Sequence, residues 1–209
     1  MGSETVNRKP RRQADIRAYR RSSLLRAALN TVAHFDIEGA TVARICAEAG
    51  ASRGLISHYF DNKEELLVAA LTGLFDEAQS IKHQIANDPT LDDFDRIRRI
   101  AHVSFKEPIF SWETAAAWQA FTNRSRYNAA YRAPIRASNY QFIDILTPLF
   151  KAASAQSPLR IKPAEAAMGL VILIDGLWNS LATDKDKLKL KQAMSQCDIY
   201  IQGCFKPDS

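Results

Sequence analysis

Apolar residues recur every three or four positions along most of this 209-residue chain, and alternating polar and apolar runs are few. This spacing is the period of an amphipathic α-helix. Glycine and proline, at eight residues each, interrupt the pattern only rarely. The pattern therefore predicts an all-α fold of about nine helices. The length suits a small N-terminal unit joined to one larger helical domain.

The N-terminal unit is expected over residues 16–63 and contains three helices. The first helix has an apolar face that includes Leu25, Val32 and Phe35. Gly39 follows that face and is expected to end the helix, because glycine is the preferred residue just after a helix C-terminus. A sharp turn into the next helix is then predicted.

The next stretch, residues 41–67, reads TVARICAEAGASRGLISHYFDNKEELL. Thr41 is expected to cap a second helix, and Ser52 a third. Gly50 lies between them and can adopt the left-handed backbone conformation of a tight turn. Asn62 then begins a long helix that joins the two domains. Two short helices around a glycine turn are the sequence form of a helix-turn-helix, whose second helix enters the major groove of DNA.

The positive charge of the chain lies in the same region. Residues 1–63 hold eleven Lys and Arg against six Asp and Glu, whereas residues 64–209 hold seventeen of each. The whole net charge of +5 therefore falls on the N-terminal unit. Such confinement is typical of nucleic-acid binding. Residues 1–15 are expected to form a basic flexible arm that follows the minor groove or stays loose.

Residues 64–209 are expected to form a ligand-binding and dimerisation domain. The pattern predicts a helix over about residues 128–155, kinked at Pro148, and a nearly all-apolar helix that begins at Pro163. The last helix, about residues 186–205, has apolar residues at alternating steps of four and three, which suits packing against a partner helix. The predicted dimer interface is Leu190, Met194, Cys197, Ile201 and Cys204.

Several classes of protein are excluded by what the sequence lacks. No phosphate-binding glycine loop, paired-histidine zinc motif or nucleophile elbow occurs, so we expect no enzyme, cofactor or metal. The longest apolar run, residues 166–174, is too short to span a bilayer. The start is polar and basic, and the cysteine count is three, so a cytoplasmic protein with reduced thiols is expected.

The larger domain also contains all three tryptophans and an acidic residue inside an apolar run. Aromatic rings attract a quaternary ammonium ion by cation–π interaction, and a carboxylate strengthens that attraction. The alternative is that the rings are core residues and that the carboxylate pairs with a basic residue or a backbone group at the dimer interface. The candidate ligand-binding residues are Trp112, Trp118, Phe121, Tyr131, Asp175 and Trp178.

Residues 24–71 resemble the DNA-binding headpiece of the TetR family of repressors. The resemblance lies in Thr41, Ile45, the Ala49-Gly50 turn and the segment from Ser52 to Leu67. GLISHYFDNKEELL, together with the distant IDGLW at residues 174–178, is similar to the BetI-like branch, repressors of choline-to-glycine-betaine genes. The resemblance implies a homodimer on an inverted-repeat DNA operator, released by a small-molecule inducer, with choline or another quaternary ammonium compound as the candidate.

The resemblance also implies roles for individual residues at the DNA. Residues at the starts of helices and near the groove edge would contact phosphates, and residues of the third helix would face the bases. Arg53 can make a bidentate contact to guanine. Tyr59 has a second interpretation as a packing residue. The implied DNA-binding set is Thr41, Arg44, Ser52, Arg53, Gly54, Ser57, His58, Tyr59 and Lys63.

Other functions remain as alternatives at this point. A non-specific DNA-packaging protein would share the basic N-terminal unit but has no need of an aromatic-rich second domain. A regulator of the same fold could respond to a different small apolar or aromatic ligand. A small helical enzyme is disfavoured because no catalytic constellation is present.

Overall fold

The computed structural model of the chain describes residues 9–184 and 188–207. The described residues form nine helices and no strand, apart from one isolated bridge between Leu159 and Phe205, so the predicted all-α fold is confirmed. The helices are α1 (Lys9–Gly39), α2 (Val42–Ala49), α3 (Arg53–Tyr59), α4 (Lys63–Ala86), α5 (Asp93–Val103), α6 (Trp112–Ser125), α7 (Ala129–Ala153), α8 (Pro163–Thr183) and α9 (Leu190–Cys204).

Side-chain caps fix the starts of the helices around the turn. The hydroxyl of Thr41 accepts a hydrogen bond from the Arg44 amide at 3.3 Å, and the hydroxyl of Ser52 accepts one from the Leu55 amide at 3.3 Å. Each bond satisfies a backbone N–H that the helix leaves unpaired. Gly50 adopts φ 60° between the two helices, the left-handed conformation that the sequence predicts.

The end of α1 differs from the prediction. The left-handed residue is Asp36, with φ 58°, and its carboxylate accepts a hydrogen bond from the Ile37 amide at 2.6 Å. Gly39 is required by close approach, because a Cβ there would lie 3.0 Å from the Cβ of Phe35. Phe35 is 50% exposed instead of buried, since the change of direction at Asp36 follows it directly.

The start of α1 also differs. The helix begins at Lys9, so residues 9–15 of the expected arm are helical, while residues 1–8 lie outside the described residues. The predicted start of the last helix at Asp186 likewise lies outside them. Between these ends, α7 continues as one helix through Pro134 and through Pro148, the position of the predicted kink.

Two helices place the rest of the larger domain. α4 packs against α1 at one end and against α5 and α7 along its length. α8 lies among α6, α7 and α9 and buries residues that include Leu170, Ile174 and Trp178. By length and hydropathy α8 could cross a membrane. A helix packed in the core between other helices also has such an apolar composition, and α8 buries one face in that way.

The apolar face of α9 that was predicted as the dimer interface is partly covered by the protomer itself. Cys197, Ile201 and Cys204 are buried within the protomer, where α9 packs against α5 and α8. Met194 is half-buried, and Leu190 is exposed. The spacing correctly identified the apolar face, but spacing alone does not say whether the protomer or its partner covers it. Burial raises the pKa of Cys197 to about 12, so its thiol stays protonated at neutral pH.

Candidate DNA-binding surface and ligand cavity

The outer face of α3 carries five of the residues implied to contact DNA. Ser52, Arg53, Gly54, Ser57 and His58 are all exposed, while Ile56 on the opposite side is buried. The buried side holds α3 in place, and the outer side is free to enter a groove about 12 Å wide. We call these five residues the recognition face.

Arg44, the implied phosphate contact on α2, is fixed in position by its neighbours. Its Nη1 donates to the Gly39 carbonyl at 2.7 Å, and its guanidinium carbon lies 4.4 Å from the centroid of the Phe35 ring. The exposed ring of Phe35 therefore serves as a cation–π support. Arg44 and the neighbouring Thr41 are both exposed, so each remains accessible to a phosphate.

Tyr59 and Lys63 are half-buried and connect the recognition face to α1. The Tyr59 hydroxyl donates to the Arg17 carbonyl at 3.4 Å, and the Lys63 ammonium donates to the Ile37 carbonyl at 2.9 Å. These contacts give both residues a role in holding the N-terminal unit together. They support the packing interpretation of Tyr59 beside the phosphate one.

The first helix adds positive charge next to the recognition face. Arg17 lies 5.8 Å from the centroid of the Tyr59 ring, and Arg21 lies 5.6 Å from that of Phe60. Both arginines are exposed, as are Arg20 and Arg26 on the same helix. Positive charge on α1 therefore extends the surface that a DNA phosphate backbone would meet.

A cavity of about 60 Å³ lies in the larger domain, between helices α4, α6, α7 and α8. Three candidate ligand residues line it: Trp118, Asp175 and Trp178. This volume disfavours a long chain, and a ligand of more than a few atoms would require the cavity walls to move apart. The complete lining is Leu74, Phe75, Ala78, Lys82, Ser104, Ile109, Trp118, Ser138, Asn139, Phe142, Ile174, Asp175 and Trp178.

The other three candidate ligand residues lie elsewhere. Phe121 and Tyr131 are buried against each other, with ring centroids 5.2 Å apart. Trp112 donates to the Ala182 carbonyl at 3.2 Å and lines a separate groove between α1 and α6. All six residues fall on inner helix faces, and helical periodicity cannot tell a cavity wall from a filled core.

The two cavity tryptophans are held in place by contacts with neighbouring residues, two of which also line the cavity. The Trp178 indole N–H donates to the Ser104 carbonyl at 2.8 Å, and its ring meets Phe110 edge-on at 5.5 Å. Trp118 meets Phe75 edge-on, also at 5.5 Å. Fixed rings of this kind lose little freedom when a ligand binds.

Lys82 of α4 is the cavity residue that sequence reasoning missed. It is only 7% exposed, and its ammonium nitrogen lies 3.4 Å from the centroid of the Phe142 ring. The sequence signal was available, because Lys82 continues the inner stripe of Phe75 and Ala78 at helical spacing. A lysine in such a stripe is normally treated as a surface position that ends the stripe.

Burial shifts both charged groups of the cavity toward their neutral forms. It lowers the pKa of Lys82 to about 7, against the attraction of Asp175, and raises the pKa of Asp175 to about 6, against the attraction of Lys82. The two side chains form no close ion pair and no hydrogen bond with each other. Each charge is therefore only partly compensated.

A second buried polar residue ties α4 to α7 beside Lys82. The Gln79 amide nitrogen donates to the Ser138 carbonyl at 3.0 Å and to its hydroxyl at 3.3 Å. The Gln79 carbonyl oxygen is buried and has no hydrogen-bond partner among the described residues. A buried oxygen without a hydrogen-bond partner lowers the stability of the fold, so the contact between α4 and α7 at Gln79 is not the most stable one possible.

Comparison with known proteins covers both halves of the chain. Residues 24–70 match the model for bacterial regulatory proteins of the tetR family, and residues 94–206 match that for the BetI-type transcriptional repressor, C-terminal. The HTH-type transcriptional regulator BetI of Burkholderia mallei is 28% identical over 195 residues, which cover 92% of this chain and 96% of that protein.

Solved structures share the fold at lower identity. A protein described as a transcriptional regulator from Saccharomonospora viridis, in complex with choline, has a TM-score of 0.76 and 21% identity, covering 90% of this chain and 98% of that one. The transcriptional regulator FadR of Bacillus subtilis, in complex with stearoyl-CoA, has a TM-score of 0.73 and 16% identity, covering 87% and 97%. One fold thus accommodates very different ligands.

The cavity charges should cost the empty protein stability. We expect the double variant Lys82→Met and Asp175→Asn to raise the free energy of unfolding by about 1–4 kcal/mol near neutral pH, because apolar or neutral groups replace poorly compensated buried charges. Urea denaturation of the wild type and the variant measures the difference. A less stable variant would show that the two charges stabilise the fold.

The pH dependence of that difference has a definite sign. The folded pKa of Lys82 is lowered, so its cost is full below about pH 7 and declines toward the unfolded value of 10.5. The folded pKa of Asp175 is raised, so its cost is full above about pH 6 and declines toward 3.8. The advantage of the double variant should therefore be largest between about pH 6 and pH 7 and shrink on either side.

Proposed function

The chain belongs to the TetR family of transcriptional regulators and carries a BetI-type repressor C-terminal domain, and we propose that it is a homodimeric repressor of an inverted-repeat operator. A small molecule in the Trp118–Asp175–Trp178 cavity releases it from the DNA. The observation that carries this proposal is the pairing of an exposed recognition face with a separate, partly polar cavity in one chain. We assign DNA binding to residues 16–63, and ligand binding and dimerisation to residues 64–209.

The recognition face supports sequence-specific reading of DNA. Arg53 is exposed and its side chain has no hydrogen bond to other described residues, so its guanidinium is available for two hydrogen bonds to guanine. The Ser57 hydroxyl donates to the Arg53 carbonyl at 3.2 Å and still has lone pairs for a base or a phosphate. Both residues are positioned by a helix that is itself capped and packed.

A second copy of the chain is the natural cover for the outer faces of α8 and α9. Ile172 of α8 is 63% exposed and Ile199 of α9 is 59% exposed, with Met168 also exposed on α8. Ile199 lies on the side of α9 opposite its buried residues Cys197 and Ile201. We therefore place the dimer interface on the exposed faces of α8 and α9. A two-fold pair would present two recognition faces to two half-sites.

Release requires the ligand to favour a conformation in which the recognition faces are wrongly spaced. Two connections are available to carry that effect. α4 begins beside the N-terminal unit at Lys63 and reaches the cavity at Lys82. α6 contributes Trp118 to the cavity and packs against α1, where Arg124 and Glu38 form an ion pair at 3.1 Å.

We infer that the inducer is a compact molecule, with choline or another quaternary ammonium compound as the first candidate. The rings of Trp118 and Trp178 and the carboxylate of Asp175 suit a cation. The cavity volume of about 60 Å³ disfavours a long acyl chain. A different small apolar or aromatic inducer is the second candidate, because most of the lining is apolar. The site of action is inferred to be the cytoplasm.

Replacement of Arg53 by alanine should abolish specific operator binding. The loss of a bidentate base contact removes about 1–3 kcal/mol of discrimination. Fluorescence anisotropy on the DNA upstream of the coding sequence, titrated over a range of salt, measures it. Arg99→Ala, at an exposed arginine on α5, is the matched control and should bind as the wild type does. Sequence-specific binding retained by Arg53→Ala would contradict the assignment of the recognition face.

Acidic substitutions on the exposed face of α8 and α9 should separate the protomers. Ile172→Asp with Ile199→Asp places four like charges in a two-fold interface, whereas Gln84→Asp, at an exposed residue of α4, serves as the control away from that face. Sedimentation velocity measures the oligomeric state, and circular dichroism checks that the helices persist. A dimer that survives the double substitution would place the interface on another surface.

A ligand panel on the protein–operator complex tests release. Choline or a related quaternary ammonium compound at millimolar concentration is expected to lower operator affinity, and the Trp118→Ala variant should respond less. The readout is operator anisotropy with and without each compound. If quaternary ammonium compounds have no effect but a small apolar compound releases the protein, the second candidate class is the inducer.

A further inference from the structure

The cavity contains one cationic and one anionic group, and neither has a strong partner. Lys82 is more than nine-tenths buried and lines the cavity; its side chain has no hydrogen bond to any described residue, and its ammonium lies against the face of the Phe142 ring. Asp175 lines the same cavity and likewise has no hydrogen bond among the described residues. Buried charges are normally paired and hydrogen-bonded.

We propose that the inducer is a small zwitterion, whose anionic group binds the Lys82 ammonium and whose cationic group binds Asp175 and the rings of Trp118 and Trp178. This inference rests on the proposed function of the cavity as the inducer site. It narrows the class of inducer, because the ligand must carry a carboxylate or a similar anion as well as the cation that the aromatic rings bind. Lys82 is the residue that requires the addition.

A simple cation satisfies only half of this arrangement. The Lys82 ammonium already lies against the Phe142 ring, 3.4 Å from its centroid, where a ligand cation would otherwise bind. A cationic ligand would compete for Asp175 and would lie near a second positive charge in a volume of about 60 Å³. Lys82 would then have to lose its proton or remain unpaired.

A ligand that carries only a negative charge would leave Asp175 without a partner. It would pair with Lys82 but would lie near the Asp175 carboxylate, which would have to take up a proton. A ligand that carries both charges leaves the net charge of the filled cavity unchanged and gives each protein group a partner. The lowered pKa of Lys82 and the raised pKa of Asp175 agree with this, since both show charges that lack partners in the empty cavity.

The experiment compares matched ligands on the full-length protein. The zwitterions are trimethylammonioacetate, trimethylammoniopropanoate and trimethylammoniobutanoate, which differ only in the spacing of the two charges. Choline supplies the cation alone. The tert-butyl carboxylates of the same lengths supply the anion alone. Isothermal titration calorimetry measures binding to the protein without DNA, and operator anisotropy measures release separately.

We expect at least one zwitterion to bind about ten-fold more tightly than both choline and its tert-butyl counterpart. Lys82→Met should remove that preference by weakening the zwitterion about ten-fold while choline binds as well or better. Asp175→Asn should weaken the zwitterion and strengthen the tert-butyl carboxylate. Lys151→Met, at an exposed lysine on α7, should change none of these affinities.

Three results would overturn the inference. They are tighter binding of choline than of every zwitterion, equal losses for choline and zwitterion in Lys82→Met, and no binding of any zwitterion at millimolar concentration. The proposed function fails separately: if a zwitterion binds in the calorimeter but leaves operator affinity unchanged, the cavity assignment holds and the inducer role does not. Release by choline at a lower concentration than by every zwitterion would leave the repressor function standing and would reject the zwitterion as the inducer.

Discussion

The arrangement of this protein depends on one helix that belongs to both of its domains. α4 is capped by Asn62, whose side chain accepts a hydrogen bond from the Glu65 amide at 2.9 Å, and its first residue, Lys63, donates to the Ile37 carbonyl of α1. Nineteen positions further along, Lys82 lines the cavity. A helix is stiff over this length, so its two ends cannot move independently. If a ligand moves the cavity end of α4, the other end must therefore move relative to the N-terminal unit.

The proposed ligand cavity shows how a binding site would lower the stability of the fold around it. Its walls come from packed helices, yet they include an ammonium and a carboxylate, and α4 also carries, outside the lining, the unpaired side-chain oxygen of Gln79. None of these groups helps the empty domain, because each gives up water without gaining a full set of partners. A ligand that supplies those partners stabilises the conformation it fits. The groups that lower the stability of the empty cavity are thus the same groups that would let it respond to a ligand.

Local signals in the sequence predicted the N-terminal unit closely. Thr41, Gly50 and Ser52 act within a few residues of their own backbone, so their roles can be read without a fold. The end of α1 was harder, since Asp36 adopts a left-handed conformation that a glycine would normally supply. The family match followed from the same local residues. In this unit, interactions between residues close in sequence determine most of the helix ends and turns.

The larger domain was predictable only in outline, because its function depends on which apolar face meets which neighbour. Periodicity assigned Trp118 and Phe121 to one inner stripe of α6, but only the packed structure places the first in a cavity wall and the second in filled core. The same limit applies to Cys197 and Ile201, which are covered within the protomer itself. It also hid Lys82, whose charge looks ordinary until Phe142 and Asp175 are brought beside it. Family membership at 28% identity fixes the fold around this cavity, and the residues lining it determine which ligand is bound.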